Sequence, residues 1–278
     1  MKERKRESGK VPTGEARPPR LLVPELAAYR ASSEEILLRK EEKAHVRSRR
    51  LGDGEQVVIL DGMGARARAC LTRRGTAVRL LAFEADSAGR SPSSPADFSY
   101  LPGEPALRVS ILLACAEPGR IEWAIEKGTE CGAAAFVLTV AARSQRAHVA
   151  ALKARLARLT RIAVEATKQC DRTIVPAVEG PMGIEDLLRR EEERGEGRRP
   201  LVVADAGGEP LRSVVLASRF TDSSSRGLLI AVGPEGGFNP AEISLFEEFG
   251  ALPVSLGPRI LRLETAVVAA LTLLVGGR

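Results

Sequence analysis

Short apolar runs separated by turn residues mark the first third of the chain. They occupy residues 20–23, 55–60, 65–71 and 77–83, and Asp61-Gly62 forms a turn signal between the second and third. The 65–71 run alternates small apolar and charged residues, which is typical of a half-buried strand. Short strands joined by glycine-containing turns predict a small antiparallel β-barrel.

The second half of the chain alternates strand and helix patterns. Strands are predicted at Leu107–Ala114, Ala134–Val140, Ile174–Val178, Leu201–Ala204, Leu228–Val232 and Leu252–Leu256. Helices are predicted at Arg120–Cys131, 146–169, Ile184–Arg194, Pro240–Phe249 and Leu263–Leu274. In the second of these helices, Leu152, Leu156, Leu159 and Ala163 share one face. The alternation predicts an α/β fold with a parallel sheet covered on both faces.

These patterns divide the chain into four segments. Residues 1–19 are basic and almost free of apolar side chains, which predicts a disordered arm. Such an arm is either a solvated extension or a flexible phosphate-binding tail. Residues 20–90 form the small β-domain, the Ser/Pro/Gly-rich stretch at 91–106 is a linker, and residues 107–278 form the α/β domain.

The charge balance favours a polyanionic partner. Across 278 residues, 42 Lys and Arg oppose 36 Asp and Glu, which gives a formal charge of +6. Aromatic residues make up only 4% of the chain, with one Trp, so a platform of stacked bases is not expected. Residues 39–50 concentrate the basic charge of the small domain, with six Lys or Arg against two Glu.

The cysteines predict neither a disulfide framework nor a metal site. Cys70, Cys115, Cys131 and Cys170 form no CxxC pair and have no histidine at a zinc-binding spacing. We expect reduced thiols, no bound metal and a cytoplasmic protein. No apolar run reaches the length that spans a bilayer, and the basic N-terminus lacks the apolar segment of a secretory signal.

Two loops at predicted strand ends carry the candidate chemistry, because ligands of parallel α/β sheets bind beyond the carboxyl ends of strands. The first is Gly233-Pro234-Glu235-Gly236-Gly237-Phe238-Asn239-Pro240, whose glycines allow a ligand to approach the backbone closely. At its end, Asn239 and Glu242 have the spacing of a helix-capping box. A plain strand-turn-helix connection is the alternative, although it does not need three glycines.

The second loop runs from Leu256 to Ala266 and places two arginines and a glutamate at the start of an apolar helix. Charges there are costly unless they are paired or bound to a ligand, so an Arg–Glu ion pair is the alternative interpretation. The signatures GxGxxG and GxxxxGK[ST] are absent, which excludes a Rossmann dinucleotide site and a P-loop. His45 and His148 have no nucleophile pattern beside them.

The segment GPEGGFNPAEISLFEEFGALPVSLGPRILRLETAVVAAL closely resembles the C-terminal signature of the RsmE family of 16S ribosomal RNA uridine-N3 methyltransferases. Further agreement lies at Arg120–Trp123, at Arg143-Ser144 and in 161–176, so the resemblance covers roughly 107–275. The N-terminal part matches weakly. Ser48 and Arg49 stand where the family has apolar residues, and Gly128 replaces a usual small helix former.

The resemblance implies a SPOUT-type α/β fold with a C-terminal trefoil knot, preceded by a PUA-like RNA-binding β-barrel domain. It also implies a homodimer and S-adenosyl-L-methionine as the methyl donor. The residues expected to bind this cofactor are Ala204, Gly233, Pro234, Glu235, Gly236, Gly237, Leu256, Gly257, Ile260, Leu261, Arg262 and Thr265.

The implied reaction is methylation of N3 of a uridine in 16S ribosomal RNA, within the small ribosomal subunit. Arg262 is the candidate for stabilising charge on the uracil, with Arg259 on a phosphate, and Glu264 or Glu235 could accept the proton. The residues expected to contact RNA are Arg20, His45, Arg47, Arg49, Arg50, Arg143 and Arg172, together with Arg161. Two alternatives stay open: a catalytically silent RNA-binding or ribosome-assembly protein, and a knotted methyltransferase with another RNA target.

Overall fold

Two separate β-sheets organise the chain, one built from the N-terminal third and one from the rest. The structure, a computed structural model, describes residues 17–29, 35–83, 103–216 and 227–275. Residues 1–16 of the predicted arm, 84–90 of the predicted small domain and 91–102 of the predicted linker therefore lie outside the described residues.

The first part contains strands β1 (Arg20–Leu22), β2 (Glu35–Leu37), β3 (Gln56–Leu60), β4 (Arg66–Thr72) and β5 (Ala77–Phe83), and helix α1 (Lys40–Ser48). The strands of the second part are β6 (Val109–Ala114), β7 (Ala133–Val140), β8 (Ala177–Gly183), β9 (Leu201–Pro210), β10 (Leu228–Val232) and β11 (Leu252–Ser255). Its helices are α2 (Pro118–Glu130), α3 (Arg146–Ala154), α4 (Leu156–Gln169), α5 (Ile184–Glu192), α6 (Leu211–Leu216), α7 (Pro240–Glu248) and α8 (Leu263–Val275).

The small sheet has the strand order β1-β3-β4-β5-β2. Three of its pairings are antiparallel, but β1 runs parallel to β3, with Leu21 opposite Ile59. The expectation of a purely antiparallel arrangement is therefore wrong for the first strand. The chain passes through β2 and α1 before it returns as β3, and this long crossover permits a parallel pairing that a tight hairpin forbids.

The large sheet has the order β11-β9-β10-β6-β7-β8, and every neighbouring pair in it is parallel. Alternate side chains of its central strands enter different cores: Ile111 and Leu113 of β6 pack on one side, and Leu112 on the other. Helices α2, α4 and α8 cover the first side, and α5 and α7 cover the second. The predicted parallel α/β sheet with two covered faces is confirmed.

Two predicted elements differ from the structure. The 146–169 helix is broken at Arg155, whose N–H bonds to the carbonyl of Leu152 three residues back, although the apolar face continues through the break. The strand predicted at Ile174–Val178 begins only at Ala177, because Ile174 instead bridges to Gly62 and Met63 of the small sheet. Ile174 is therefore apolar because it lies at the contact between the two parts of the chain.

Close packing explains why a glycine occupies position 128 of α2. A Cβ atom at this position would lie 2.8 Å from the ring of Phe136 and 3.2 Å from Val267. The glycine therefore allows α2 to approach both the sheet and α8, and this contact offsets its low helix propensity.

A buried ion pair joins the two parts of the chain. Nζ of Lys168 on α4 lies 3.1 Å from Oε1 of Glu42 on α1, and both side chains are almost fully buried, with 5% and 6% exposed. Burial raises the pKa of Glu42, while the charge of Lys168 opposes that shift. Nearby, Arg20 donates to the carbonyl of Lys168 and forms an ion pair with Asp171 at 2.6 Å.

We expect Lys168→Met to lower the free energy of unfolding by about 3 kcal/mol, because it leaves the carboxylate of Glu42 buried without its cation. Urea denaturation measures the change. The double variant Glu42→Leu with Lys168→Met should recover most of the loss, and Glu165→Gln, which removes only the half-exposed partner of Lys168, should cost little. A double variant as unstable as the single one would contradict this account.

Candidate functional site

A cavity of about 330 Å³ opens at the carboxyl ends of β10, β9 and β11, which are neighbours in the large sheet. β10 and β11 contribute the loops that follow them, β9 contributes residues 204–206, which come after its residues paired with β10, and α8 closes one side. The lining residues are Ala204, Asp205, Ala206, Val232, Gly233, Pro234, Glu235, Gly236, Gly237, Ser255, Leu256, Gly257, Arg259, Ile260, Leu261, Leu263 and Ala266. The volume lies in the range of small-molecule sites, and the edge of the sheet is where such sites form in parallel α/β folds.

An irregular pairing between β9 and β11 opens this cavity. Pro253 lies opposite Val203, but the next residue of β11, Val254, lies opposite Glu209. Residues 204–208 of β9 are therefore displaced from the ladder, and three of them line the cavity. At Gly208 a Cβ atom would lie 2.4 Å from the backbone of Pro253, so only glycine permits this close approach.

Side chains from two other strand ends hold the glycine-rich loop of residues 233–237. Arg120, at the start of α2, forms an ion pair with Glu235. Arg143, in the loop after β7, donates a hydrogen bond from its guanidinium to the carbonyl of Gly236. The loop is thus fixed from outside the cavity by two arginines, while its glycines form part of the cavity wall.

The predicted capping box is present where this loop enters α7. The side chain of Asn239 accepts from the N–H of Glu242 at 2.8 Å, and Oε2 of Glu242 accepts from the N–H of Asn239 at 2.7 Å. Oε1 of Glu242 also accepts from the N–H of Ala142 at 2.6 Å. One carboxylate therefore caps the helix and joins it to the loop that carries Arg143.

The structure brings together ten of the twelve residues predicted to bind the cofactor, all on the cavity wall: Ala204, Gly233, Pro234, Glu235, Gly236, Gly237, Leu256, Gly257, Ile260 and Leu261. Arg262 and Thr265 are exposed and are not among the residues that line the cavity, so their expected role in cofactor binding stays a prediction. Sequence reasoning missed Asp205, Ala206, Val232, Ser255, Leu263 and Ala266. The one sign of these six residues in the sequence was their position beside predicted strand and helix ends, since none of them belongs to a distinctive motif.

The three candidate catalytic residues lie in different settings. Arg262 is exposed and immediately precedes α8. Oε2 of Glu264 is buried and has no hydrogen-bond partner among the described residues. Glu235 is largely exposed, and its carboxylate is engaged by Arg120.

The loop after β6 contributes no nucleophile to this edge of the sheet. Cys115 is fully buried, and burial raises the pKa of its thiol to about 11, so the thiol is protonated at neutral pH. The next carboxylate, Glu117, caps α2. Hydrogen bonds from the backbone N–H groups of Gly119 and Arg120 lower its pKa.

Two of the residues expected to contact RNA, Arg20 and Arg172, are largely buried and bond within the protein. Arg172 is only 3% exposed, donates to the carbonyls of Thr129 and Ala133, and forms an ion pair with Glu104. Arg20 is 9% exposed and is engaged by Asp171. Their internal partners were not predictable, because a basic residue in sequence gives no sign of whether a carboxylate or a phosphate neutralises it.

The other basic candidates occupy the surface. Arg47, Arg49 and Arg50 are exposed around the end of α1. His45 is partly buried, with Nδ1 3.9 Å from Oε2 of Glu165, and burial together with the charge of Lys168 lowers its pKa. Arg143 is exposed, but it is bonded to the glycine-rich loop.

The described residues contain no cluster of three His, Cys, Asp or Glu side chains that could hold a metal ion. All four cysteines are free of disulfide bonds. None of the described helices combines the length and the apolar character needed to cross a membrane.

Comparison with known proteins gives concordant matches. The family model described as an RNA methyltransferase domain matches residues 103–275. The ribosomal RNA small subunit methyltransferase E of Mycobacterium bovis is 32% identical over 225 residues, which cover 80% of this chain and 79% of the relative. The Bacillus subtilis protein of the same name is 36% identical over 167 residues, covering 60% of this chain and 64% of the relative.

A solved structure shows the same fold. The ribosomal RNA small subunit methyltransferase E of Neisseria gonorrhoeae, bound to S-adenosyl methionine, superposes with a TM-score of 0.72 at 23% identity. The superposition covers 92% of this chain and 95% of that chain. With the family model matching more than half of the chain and a relative matching four fifths of it, the chain belongs to the RNA methyltransferase family, together with the small-subunit ribosomal RNA methyltransferase E proteins.

Proposed function

We propose that this protein transfers a methyl group from S-adenosyl-L-methionine to N3 of a uridine in small-subunit (16S) ribosomal RNA. The observation that carries the proposal is the cavity at the ends of β9, β10 and β11, which lies within the segment matched by the family model. The names of the relatives supply the RNA class.

The residues of the cavity fit the proposed cofactor. A Cβ atom at Gly237 or at Gly257 would meet nothing within 4 Å, so both backbones leave open space for a ligand. Their φ angles of +70° and +126° also favour glycine. Val232, Leu256 and Leu261 offer apolar surface for an adenine ring, while the backbone groups of residues 256–261 can bond to its edge.

The bound cofactor supplies a methyl group on a cationic sulfonium, which is an electrophile. The protein must bring an unpaired or flipped-out uridine beside it, because base pairing hides N3. Holding the two reactants together accounts for much of the acceleration. Negative charge develops on the uracil ring when N3 loses its proton, and Arg262, exposed next to the cavity wall, is placed to stabilise it. Arg259, which lines the cavity rim, would bind a phosphate.

Proton removal is assigned to Glu264 in preference to Glu235. The carboxylate of Glu235 already forms an ion pair with Arg120, so abstraction of a proton would disturb the arginine that holds the loop. Oε2 of Glu264 is buried without a partner among the described residues, so it can accept a hydrogen bond once substrate binding exposes it.

The proposal extends to the assembly and the fold. The small sheet is the PUA-like RNA-binding domain, the three cavity loops belong to a C-terminal trefoil knot, and the protein acts as a homodimer in the cytoplasm. Ile260 supports the dimer: it lies on the cavity wall with 95% of its surface exposed, and a second copy would cover it. Sedimentation equilibrium tests this assembly, and a monomer at assay concentrations would contradict it.

The experiment that tests the function uses purified protein, unmodified small ribosomal subunits and isotope-labelled S-adenosyl-L-methionine. We expect labelled 3-methyluridine after digestion of the RNA, identified by mass spectrometry. Label in another nucleoside would mean another RNA target. Absence of label, together with absence of cofactor binding by calorimetry, would favour a silent RNA-binding protein.

We expect Gly236→Trp to abolish cofactor binding, because a side chain at this position points at Arg143, and an indole there would displace the arginine that holds the glycine-rich loop on the cavity wall. Gly236→Ala is the matched control, since its Cβ would meet only the flexible side chain of Arg143 at 3.0 Å and should leave binding nearly intact. Isothermal titration calorimetry measures both variants. Unchanged affinity in the tryptophan variant would place the cofactor elsewhere.

Arg262→Ala should lower the turnover number by about 10²- to 10³-fold, the usual effect of removing one preorganised electrostatic partner of the transition state. Cofactor affinity should stay the same, because this side chain lies outside the cavity wall. Single-turnover methylation and calorimetry measure the two quantities. Full activity in the variant would remove Arg262 from the mechanism.

Replacing each carboxylate by its amide separates the two proton acceptors. We expect Glu264→Gln to reduce turnover by about 10²-fold or more and to change its pH profile, as for loss of a general base. Glu235→Gln keeps a hydrogen-bonding group toward Arg120 and should retain most activity. The reverse order of effects would reassign proton removal to Glu235.

A further inference from the structure

A second cavity, of about 400 Å³, lies between α1 of the small domain and α4 of the large one, and we call it the junction cleft. It is lined by Arg20, His45, Arg49, Glu126, Arg158, Arg161, Ile162, Glu165, Ala166, Lys168 and Gln169. Helix α4 returns the chain from the carboxyl end of β7 to the amino end of β8. Its last turns, and the cleft beside them, therefore lie toward the opposite edge of the sheet from the cofactor cavity.

Cations dominate the walls of the junction cleft, with five Lys or Arg side chains against two Glu. Acidic neighbours neutralise three of these cations: Arg20 pairs with Asp171, Arg158 with Glu122, and Lys168 with Glu42 and Glu165. The remaining two, Arg49 and Arg161, are exposed, and no carboxylate in the described part of the chain pairs with either.

Inside the cleft one buried donor is also unsatisfied. The guanidinium of Arg20 bonds through its two terminal nitrogens, but its buried Nε has no hydrogen-bond partner among the described residues. Buried donors are nearly always satisfied, so this N–H favours a ligand that brings an acceptor oxygen into the cleft. Ile162 and Ala166 add apolar surface to the same cavity.

We propose that the junction cleft binds one nucleotide of the RNA substrate, with its phosphate held between Arg49 and Arg161. An oxygen of that nucleotide would satisfy Nε of Arg20, and the ribose and base would cover Ile162 and Ala166. Because Arg49 belongs to the small domain and Arg161 to the large one, a single bound nucleotide contacts both domains. The site anchors RNA at a distance from the methyl transfer. This inference rests on the proposed function for its choice of RNA.

The double variant Arg49→Ala with Arg161→Ala tests the proposal in the full-length protein. Its matched control is Arg189→Ala with Arg190→Ala, which removes the same charge from exposed positions of α5, on the other face of the large sheet. Binding of a labelled small-subunit ribosomal RNA transcript is measured across a series of salt concentrations. Both arginine pairs are exposed, so thermal denaturation should show folded proteins in each case.

We expect weaker RNA binding in the double variant. The slope of log affinity against log salt should become less steep by about 0.7, because the two arginines hold one phosphate and each phosphate of a single strand contributes roughly 0.7 to that slope. For methylation of the RNA, KM should rise while the turnover number at saturation is retained, and cofactor affinity should equal that of the wild type. The control should match the wild type in all five quantities.

Affinity and salt slope equal to those of the wild type would overturn the proposal, even if the wild-type protein makes 3-methyluridine. If the wild-type protein does not methylate the RNA, the proposed function is refuted. The comparison of RNA binding between the double variant, the control and the wild type would still test the junction cleft. Inorganic pyrophosphate provides a second probe by calorimetry. If the double substitution abolishes pyrophosphate binding but leaves RNA binding unchanged, the cleft takes a free phosphate compound and the RNA assignment is wrong.

Discussion

The close approach of two backbones at Gly208 is the constraint on which the candidate site depends. A side chain at this position would collide with the backbone of Pro253, so glycine alone allows β9 and β11 to resume pairing after residues 204–208 have left the ladder. Without that displacement, β9 would continue as a regular strand and its end would not form a wall. The cavity thus follows from a local irregularity in the β9–β11 pairing of a sheet that is buried on both faces.

Arginines perform two different tasks in this protein, and their surroundings decide which. Arg120 and Arg143 bond to the glycine-rich loop from outside and restrict its position. Arg172 is buried and joins Glu104 to two backbone carbonyls. By contrast, Arg49 and Arg161 have no acidic partner in the described ranges and lie on a cleft. The formal charge of +6 therefore does not show which arginines lack an acidic partner in the described ranges and are available to an anionic ligand.

The contact region between the two sheets contains buried charged side chains, whereas most domain cores are apolar. The Lys168–Glu42 pair lies within it, almost fully buried, and Asp171 binds both Arg20 and Arg66. Such pairs add little net stability compared with apolar packing. Any arrangement that separates the two partners leaves buried charges unpaired, which costs free energy. These pairs restrict the orientation of α1 relative to α4, and both helices line the junction cleft.

Local patterns in the chain were enough to predict the α/β architecture, because buried parallel strands and amphipathic helices leave strong periodic signals. They also indicated the glycine-rich loop, the capping box at Asn239 and ten residues of the cavity wall, since these depend on local backbone demands and on a long family motif. The folded protein was needed to show that β9 lies between β10 and β11, and hence that three separate loops meet. It was also needed to place Ile174 against the small sheet, and Arg20 and Arg172 inside the protein. Strand order and the partner of a charge depend on contacts between residues far apart in the chain, which local patterns do not record.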